Sequence, residues 1–254
     1  MNTLKNRNIL ITGATSGLGK ELSIYFDLRV KSLICIGKSY TKIKLLKKRL
    51  KNKRNIYFSG DLSRKKKLRS SLSFLNKAKN IDTIIHCMGG GLGIKSDLVS
   101  EKDFIKLFMV NLICQSEINN YLIKKMIKNK TKGNILHVSS VAALESTASI
   151  GYSCVKAALT AYSKKLAKSF IKKNIFVKTI IPGAFETLDN SFARLKKRNI
   201  KAYKKFKNTR LPRKKYAEAR DIIPIVEFLI SDKSDMLSGT DIVTDFAESN
   251  SFRI

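Results

Sequence analysis

A tyrosine and a lysine four residues apart, Tyr152 and Lys156, could together move a proton in catalysis. They lie in a segment with helical spacing that follows an apolar strand ending in Ser139 and Ser140. Residues four apart on a helix share a face, so the phenol and the ammonium would point into the same space. An ammonium beside a phenol favours the phenolate and lowers the tyrosine pKa from its usual value of about 10. The same spacing is common on ordinary helix surfaces, so the rest of the chain must decide whether the pair is functional.

Strand-like and helix-like segments alternate along the chain, which is typical of βαβ units and a mostly parallel sheet. The predicted strands cover residues 8–11, 33–36, 55–58, 83–87, 134–138, 175–181 and 241–244, and the predicted helices cover residues 17–28, 41–50, 64–78, 101–128, 150–172 and 217–230. Residues 184–216 are polar and basic, and we expect them to form a lid with short helices. No linker or internal repeat divides the chain. We therefore expect one α/β domain over residues 1–254, a doubly wound Rossmann-type sheet with helices on both faces.

The composition is that of a globular protein. The chain has 254 residues, of which 43% are hydrophobic. No apolar run approaches the ~18 residues of a membrane span, so no span is expected, and the N-terminus does not have the pattern of a secretory signal. The four cysteines are widely separated. This spacing favours free thiols in a reducing compartment over disulfides or a metal site, and it makes the cytoplasm the expected location.

The formal net charge of +32 is unusual and has two explanations. Such a surface would attract polyanions, including nucleic acid, acidic carrier proteins and phosphorylated metabolites. Lysine, isoleucine and asparagine are abundant together and the lysines are spread over many segments, which also fits a compositional bias. Because no nucleic-acid recognition motif or aromatic stacking array is visible, specific binding of nucleic acid is not expected.

A glycine-rich turn between the first strand and the first helix is the expected phosphate site. The sequence from Thr12 to Gly19 reads T-G-A-T-S-G-L-G and leads directly into a helix. Glycine allows the backbone to approach a pyrophosphate closely, and a helix N-terminus supplies N–H groups and positive charge. The residues expected to contact the cofactor here are Gly13, Thr15, Ser16, Gly17, Leu18 and Gly19.

The end of the second strand is where the adenosine ribose of a dinucleotide would lie. An Asp or Glu at this point would hold the 2′-hydroxyl of NAD, whereas a basic residue would favour the 2′-phosphate of NADP. The chain has Lys38 and Ser39 there and no carboxylate. We therefore predict that both residues contact the cofactor and that NADP(H) is preferred over NAD(H).

Taken together, these residues resemble the short-chain dehydrogenase/reductase family, in its short single-domain branch. The motifs follow the family's order over nearly the whole chain: T-G-x-x-x-G-x-G at 12–19, Asp61 with Leu62 after the third strand, Gly89 after the fourth, Asn111 in V-N-L, the Y-x-x-x-K pair, and Pro182 and Gly183 with Thr187 after the sixth. The resemblance implies that the catalytic residues are Asn111, Ser140, Tyr152 and Lys156. It implies further cofactor contacts from Asp61, Leu62, Gly89, Tyr152, Lys156, Pro182, Gly183 and Thr187.

The position of the catalytic serine depends on how the sequence is aligned with the family. The strand-end pattern S-V-A-A aligns Ser140, which lies twelve positions before Tyr152, where the family usually has thirteen. Ser139 has the usual spacing. We prefer Ser140, because the strand fixes the direction of its side chain whereas the following loop can lose a residue.

The resemblance implies hydride transfer between a nicotinamide and a carbonyl carbon, which interconverts a ketone and a secondary alcohol. Tyr152 would be the acid, Ser140 would hold the substrate oxygen, and Lys156 would lower the tyrosine pKa and hold the nicotinamide ribose. Asn111 would anchor a water that connects Lys156 to solvent. The alternative is a non-catalytic NADP(H)-binding regulatory or interaction protein on the same fold.

The density of lysine and arginine in residues 184–216 favours an anionic substrate. Candidates are a 3-oxoacyl thioester, carried by acyl carrier protein or coenzyme A, and a nucleotide-linked or acidic sugar. A solvated basic lid in a basic protein explains the same residues equally well. The resemblance also implies a homodimer or homotetramer that associates through the helices at 101–128 and 150–172.

Overall fold

The apolar runs of the sequence form one parallel sheet in the computed structural model, which describes residues 4–78 and 80–251. Its strands are β1 (Asn8–Thr12), β2 (Ser32–Gly37), β3 (Ile56–Ser59), β4 (Thr83–His86), β5 (Gly133–Val138), β6 (Ile175–Pro182) and β9 (Asp241–Thr244), while the short β7 (Phe185–Glu186) and β8 (Ala217–Glu218) pair with each other. The order across the sheet is β3-β2-β1-β4-β5-β6-β9, and all neighbours are parallel. Strands β1 and β4 are buried along their whole length, as expected for strands covered on both faces.

Helices cover both faces of this sheet, which confirms the predicted doubly wound fold. They are α1 (Gly17–Phe26), α2 (Tyr40–Arg49), α3 (Lys65–Leu75), α4 (Glu101–Phe108), α5 (Cys114–Lys128), α6 (Ile150–Phe170), α7 (Ser191–Arg198), α8 (Ile200–Arg210) and α9 (Ala219–Leu229). One hydrophobic core joins Ile9 and Ile11 of β1 to α1 and α9, and a second joins Leu10 to α3, α5 and α6. Because successive residues of a strand face opposite sides, the two cores lie on opposite faces of the sheet.

The elements depart from the sequence prediction in three places. The helix predicted at 101–128 is interrupted by a π-helical turn, Met109–Ile113, which separates α4 from α5. The predicted lid contains α7 and α8, and the β7–β8 pair, which was not predicted, connects its two ends. Helix α9 begins at Ala219 rather than at Ala217, because Glu218 and Asp221 form a reciprocal capping box at its N-terminus.

A buried polar network crosses the centre of the sheet. His86 of β4 and His137 of β5, the two histidines of the sequence, stack with their ring centroids 5.2 Å apart. Asn119 of α5 bridges them, with Oδ1 2.9 Å from His86 Nε2 and Nδ2 3.0 Å from His137 Nε2. Burial lowers the pKa of His86 to about 4 and holds the pKa of His137 well below its usual value. Both rings are therefore neutral at neutral pH, and they tie two central strands to α5.

The strand order reverses between β1 and β4, and the crevice beyond the carboxyl ends of these strands is where open α/β sheets bind ligands. Thr12, the last residue of β1, is the register partner of His86 in β4. The loops that follow these strands touch, since a Cβ on Gly13 would lie 2.8 Å from the backbone nitrogen of Met88. Among the described residues, every helix is too short or too polar to span a membrane.

Candidate active site

Lys156 is buried at the centre of the candidate site. Its Nζ donates a hydrogen bond to the carbonyl of Val138, 2.9 Å away at the end of β5, and lies 5.7 Å from the ring centre of Tyr152. Only 3% of the residue is exposed. Burial lowers the pKa of Lys156 to about 8, so the ammonium stays mainly charged at neutral pH. Helix α6 thus presents the phenol and the ammonium to the same space, in the arrangement predicted from their spacing.

The pKa of Tyr152 moves in the direction opposite to the one predicted from the sequence. Burial raises the pKa of this phenol, and the neighbouring Ser140 side chain lowers the pKa by less. The ammonium of Lys156 does not offset the burial, because it lies 5.7 Å from the ring centre and is hydrogen-bonded to the Val138 carbonyl. Tyr152 is therefore a protonated hydroxyl at neutral pH, which is the form that can donate a proton.

The two neighbouring serines point in different directions. Ser139 is buried, and its Oγ donates to the backbone carbonyl of Lys156 at 3.3 Å. Ser140 is half-buried, its Oγ accepts from the backbone N–H of Ala142 at 3.2 Å, and its side chain lies beside that of Tyr152. Consecutive residues of extended backbone face opposite sides, so only one of the two serines can face the tyrosine. In this structure Ser140 does.

Asn111 is fully buried in the π-helical turn between α4 and α5. Its Oδ1 accepts from the N–H of Gly90 at 2.9 Å, and its Nδ2 donates to the carbonyl of the same residue at 3.1 Å. Gly89 lies between two predicted catalytic residues, where there is no room for a side chain. A Cβ on this residue would lie 2.7 Å from Asn111 Oδ1 and 3.2 Å from Lys156 Nζ. Its φ of +149° adds strain for any other residue. The π-helical turn and the glycine loop thus bring Asn111 next to Lys156.

The turn between β1 and α1 has the backbone geometry of a phosphate site. Gly13 and Gly17 have φ values of +71° and +53°, and a Cβ on Gly19 would overlap the carbonyl of Gly13. Ser16, at the N-cap of α1, makes no side-chain hydrogen bond to the helix. Thr15 packs against the end of β2, while Leu18 is buried in the core. A glycine turn that leads into the N–H groups of a helix N-terminus fits the pyrophosphate of a dinucleotide.

Thr187 gives a second indication of a ligand. Its Oγ1 is buried and has no hydrogen-bond partner among the described residues. A buried hydroxyl without a partner costs free energy, so a ligand group that bonds to Thr187 would remove that cost. Pro182 ends β6, and Gly183 faces the C-terminal segment, where its added Cβ would lie 2.5 Å from Glu248 Oε2. Of these predicted cofactor residues, Thr187 therefore has the strongest structural reason to contact a ligand.

The predicted adenosine end of the site contains an ion pair. Lys38 Nζ lies 2.9 Å from Asp61 Oδ2, and the lysine side chain is 78% exposed. Burial raises the pKa of Asp61, but hydrogen bonds from Ser63 and the charge of Lys38 outweigh it and hold the pKa below its usual value. Ser39 caps α2, with its Oγ accepting a backbone N–H of the first turn at 3.3 Å. Leu62 is buried beside them. Lys38 is therefore at the surface, free to move from Asp61 to another anion.

The lid packs through a small aromatic core of its own. The rings of Tyr203 and Tyr216 stack with their centroids 4.5 Å apart, and Phe192 and Phe206 pack against them. Most of the lid's cations lie on the outer surface, exposed to solvent: Arg194, Lys196, Lys197, Arg198, Lys201, Lys204, Lys205, Arg213, Lys214 and Lys215. This distribution leaves a strongly positive outer surface on α7 and α8.

Arg210 is an exception among the lid cations, because it is used inside the protein. It forms ion pairs with Glu145, in the loop between Ser140 and Tyr152, and with Glu248 of the C-terminal segment. Its side chain is only 17% exposed. Arg210 therefore anchors the end of α8 to the loop that carries the candidate catalytic serine, and it is not available to an anionic substrate.

Asp189 and Lys42 also belong to the site, although no motif indicated them. Asp189 Oδ1 accepts the backbone N–H of Gly17 at 2.9 Å, and its Oδ2 lies 3.1 Å from Lys42 Nζ. The contact joins residues 172 positions apart, so no local spacing could predict it. The one signal in the sequence is that Asp189 is one of two carboxylates in residues 184–216.

A glycine turn lies at the switch point of a doubly wound sheet, next to serine, tyrosine, lysine and asparagine side chains. This arrangement is the one expected of a nicotinamide-dependent oxidoreductase. The family model described as short chain dehydrogenase matches residues 7–197, and the chain belongs to that family. It is an oxidoreductase that acts on CH–OH and C=O groups.

Relatives of known or assigned activity match almost the full length of the chain. The 3-oxoacyl-(acyl-carrier-protein) reductase of Buchnera aphidicola is 31% identical over 244 residues, which cover 93% of this chain and 94% of that protein. An (S)-acetoin-forming diacetyl reductase of Staphylococcus epidermidis is 24% identical, with coverage of 94% and 97%.

Solved structures of similar fold cover the chain from end to end. L-sorbose reductase from Gluconobacter frateurii, in complex with NADPH and L-sorbose, superimposes with a TM-score of 0.89 at 20% identity, covering 99% of both chains. A 3-oxoacyl (acyl-carrier-protein) reductase from Agrobacterium tumefaciens C58 with NADP bound gives a TM-score of 0.87 at 17% identity, covering 96% of this chain and 95% of that one. Together with the family match, these superpositions confirm the fold.

Proposed function

We propose that the chain is an NADP(H)-dependent oxidoreductase that interconverts a ketone and a secondary alcohol, with Ser140, Tyr152, Lys156 and Asn111 as its catalytic residues. One observation carries this proposal. Gly89 brings Lys156 and Asn111 together at the carboxyl end of the sheet, where Tyr152, on the same helix as Lys156, lies beside Ser140. Hydroxyl, phenol, ammonium and amide thus converge beside the crevice in which the cofactor would lie.

The protein's part in the reaction is to hold the carbonyl and to supply a proton. Bound NADPH would supply the hydride to the carbonyl carbon. Tyr152, protonated at neutral pH, donates its proton to the oxygen as negative charge develops there. Ser140 donates a hydrogen bond to the same oxygen and fixes its position. The charged Lys156 would hold the nicotinamide ribose, while Asn111 keeps the glycine loop in place next to that lysine.

The preference for NADP(H) rests on the cationic end of β2. Lys38 is exposed, Asp61 is its one ion-pair partner in the part of the chain that the structure describes, and β2 itself ends without a carboxylate that would repel a 2′-phosphate. The 2′-phosphate carries more negative charge than one carboxylate, so it would compete for Lys38 effectively. The NADPH and NADP complexes of the sorbose reductase and of the Agrobacterium reductase support the same choice.

The substrate is a carbonyl compound bound under the lid, and an anionic one fits the charge of the lid best. Apart from Arg210, whose guanidinium is occupied by Glu145, the cations of α7 and α8 point mainly to solvent. That surface suits an acidic carrier protein, which would present a 3-oxoacyl thioester, better than a small acid inside the crevice. The 31% identity with a 3-oxoacyl-(acyl-carrier-protein) reductase supports this choice.

The active protein is a homodimer or homotetramer that associates through α5 and α6. The outer face of α6 exposes the small residues Cys154, Ala157 and Ala161, and Ile171 is exposed directly after the helix ends. Such a face can pack closely against a second copy of the same helix. Sedimentation of the purified protein would give a single species of at least twice the chain mass, whereas a monomer would contradict this point.

Oxidation of NADPH, followed by its absorbance, tests the proposed function. The purified protein is assayed with a 3-oxoacyl thioester, diacetyl and a ketose, each with NADPH and with NADH. We expect turnover with at least one ketone, greatest with the thioester, and a higher kcat/KM with NADPH. NADPH binding without turnover of any of these ketones would favour a non-catalytic NADP(H)-binding protein. A preference for NADH would refute the argument from Lys38.

A further inference from the structure

The lid touches the phosphate turn through one carboxylate. Asp189 Oδ1 accepts the N–H of Gly17, the first residue of α1, at 2.9 Å. Its other oxygen, Oδ2, lies 3.1 Å from the ammonium of Lys42 in the first turn of α2. Burial raises the pKa of Asp189, but the N–H of Gly17 and the charge of Lys42 outweigh it and hold the pKa below its usual value. The group is therefore an anion at neutral pH.

The partners of Asp189 are groups that bind phosphate. The N–H at the start of a helix that follows a glycine turn is a general anion site, and a lysine beside it adds a point charge. One carboxylate bridges Gly17 and Lys42, so these two donors face a space of about the size of one phosphate group. This is the place where the proposed cofactor would put its pyrophosphate. Asp189 and that pyrophosphate cannot both occupy it.

The position of Asp189 is fixed by the start of the lid helix. Asn190 caps α7, with its Oδ1 accepting the N–H of Ala193 at 3.0 Å, and its Nδ2 donates to the Phe185 carbonyl at 2.6 Å. Arg194, one turn into α7, donates to the backbone carbonyl of Asp189 at 2.6 Å. Because these bonds join Asp189 to the first turn of α7, a movement of its carboxylate away from Gly17 also displaces the start of the lid.

We propose that Asp189 is an internal competitor of the cofactor's pyrophosphate, and that Lys42 leaves Asp189 to become a ligand of a cofactor phosphate. The inference rests on the proposed function, because it needs a dinucleotide at the phosphate turn. Cofactor binding then releases the start of the lid from α1, so that the cofactor enters before the lid takes its final position over the substrate. Asp189 also weakens the binding of every dinucleotide, since each must first displace it.

Direct binding and proteolysis test the proposal without measuring turnover. Asp189→Asn removes the charge and keeps the size. Asp103→Asn is the matched control, because Asp103 also pairs with a lysine, Lys106 at 2.9 Å on its own helix α4. The lid is a good substrate for trypsin, since α7 and α8 contain nine lysines and arginines. The measurements are the Kd of NADPH by calorimetry and the rate of tryptic cleavage in the lid, with and without inorganic pyrophosphate.

We expect Asp189→Asn to bind NADPH about tenfold more tightly than the wild type, from the loss of one charge-assisted hydrogen bond and one ion pair. Its lid should be cleaved faster, and pyrophosphate should accelerate cleavage in the wild type but not in the variant. Lys42→Gln should weaken binding of both NADPH and pyrophosphate about fivefold. Asp103→Asn should match the wild type throughout. Circular dichroism and thermal melting confirm that each variant is folded.

Two outcomes would overturn the proposal, and they differ from failure of the proposed function. Equal or weaker NADPH binding by a folded Asp189→Asn variant would mean that the carboxylate does not compete with the cofactor. Lid cleavage that stays as slow as in the wild type would mean that Asp189 does not hold the lid. If neither form bound NADPH, both the proposed function and this inference would be wrong.

Discussion

Replacement of each of the two neighbouring serines by alanine separates catalysis from packing at the candidate site. Ser139 Oγ donates to the Lys156 carbonyl at 3.3 Å in a buried position, and Ser140 Oγ accepts from Ala142 at the start of a 3-10 turn. Each change removes one hydrogen bond between a side chain and the backbone, worth about 1 kcal/mol, so both variants should lose a similar amount of stability from this source. For a chain of this size, such a loss lowers Tm by about 2–4 °C.

The effects on turnover should differ by much more. Ser140 lies beside Tyr152, and loss of a donor to the developing oxyanion costs a factor of about 100–1,000 in kcat. We therefore expect Ser140→Ala to lose kcat by that factor with little change in the Kd of NADPH, while Ser139→Ala stays within about threefold of wild type. The assay is ketone reduction under saturating NADPH, with thermal melting of both variants.

The opposite pattern of activities would show that Ser140 is not the catalytic serine. If Ser139→Ala lost turnover and Ser140→Ala kept it, the usual family spacing would be the better guide to the catalytic serine. The hydrogen bond of Ser139 to the Lys156 carbonyl would then have to break in the active enzyme.

Two further predictions concern stability and the central glycine. His86 has a folded-state pKa of about 4 against its ordinary 6.5, so the unfolded chain binds the proton first as pH falls. The stability contributed by the neutral rings of His86 and His137 is complete above pH 6.5 and decreases as the pH falls below that value; for His86 the loss reaches roughly 3 kcal/mol between about pH 6.5 and 4. Urea unfolding at several pH values checks this, and a flat profile would contradict it. Gly89→Ala places a Cβ 2.7 Å from Asn111 Oδ1 and 3.2 Å from Lys156 Nζ, and should lower kcat at least tenfold. Unchanged kcat in a folded variant would show that this packing does not matter for catalysis.

The fold could be predicted from the sequence because its strands are buried on both faces and read as apolar runs. Residues 9–11 and 83–86 are examples, and the seven predicted strands all occur in the sheet. The π-helical turn at Met109–Ile113 could not be predicted, because the helical pattern of 101–128 continues through it. Asn111, in the middle of this turn, is hydrogen-bonded to Gly90, and this is a tertiary contact that the local sequence does not reveal.

Sequence motifs indicated the candidate site residues that depend on local spacing. They did not indicate the features of the site that depend on burial or on contacts between distant parts of the chain. Tyr152 and Lys156 share a helix face because of local spacing, but the pKa of Tyr152 depends on burial, which spacing does not reveal. The spacing to Ser139 and Ser140 was ambiguous, and the direction of the strand distinguishes them. Asp189 reaches Gly17 only through the folded lid, so nothing near either residue indicated the contact.

Turnover of Tyr152→Phe, measured beside its affinity for NADPH, decides whether Tyr152 is the proton donor. The change removes one hydroxyl and keeps the ring that packs beside Gly91. Without the proton donor, we expect kcat for ketone reduction to fall by a factor of about 100–10,000, while the Kd of NADPH stays within about twofold of wild type. Full turnover in Tyr152→Phe would contradict the assignment of Tyr152 as the acid and, with it, the account of how this site reduces a ketone.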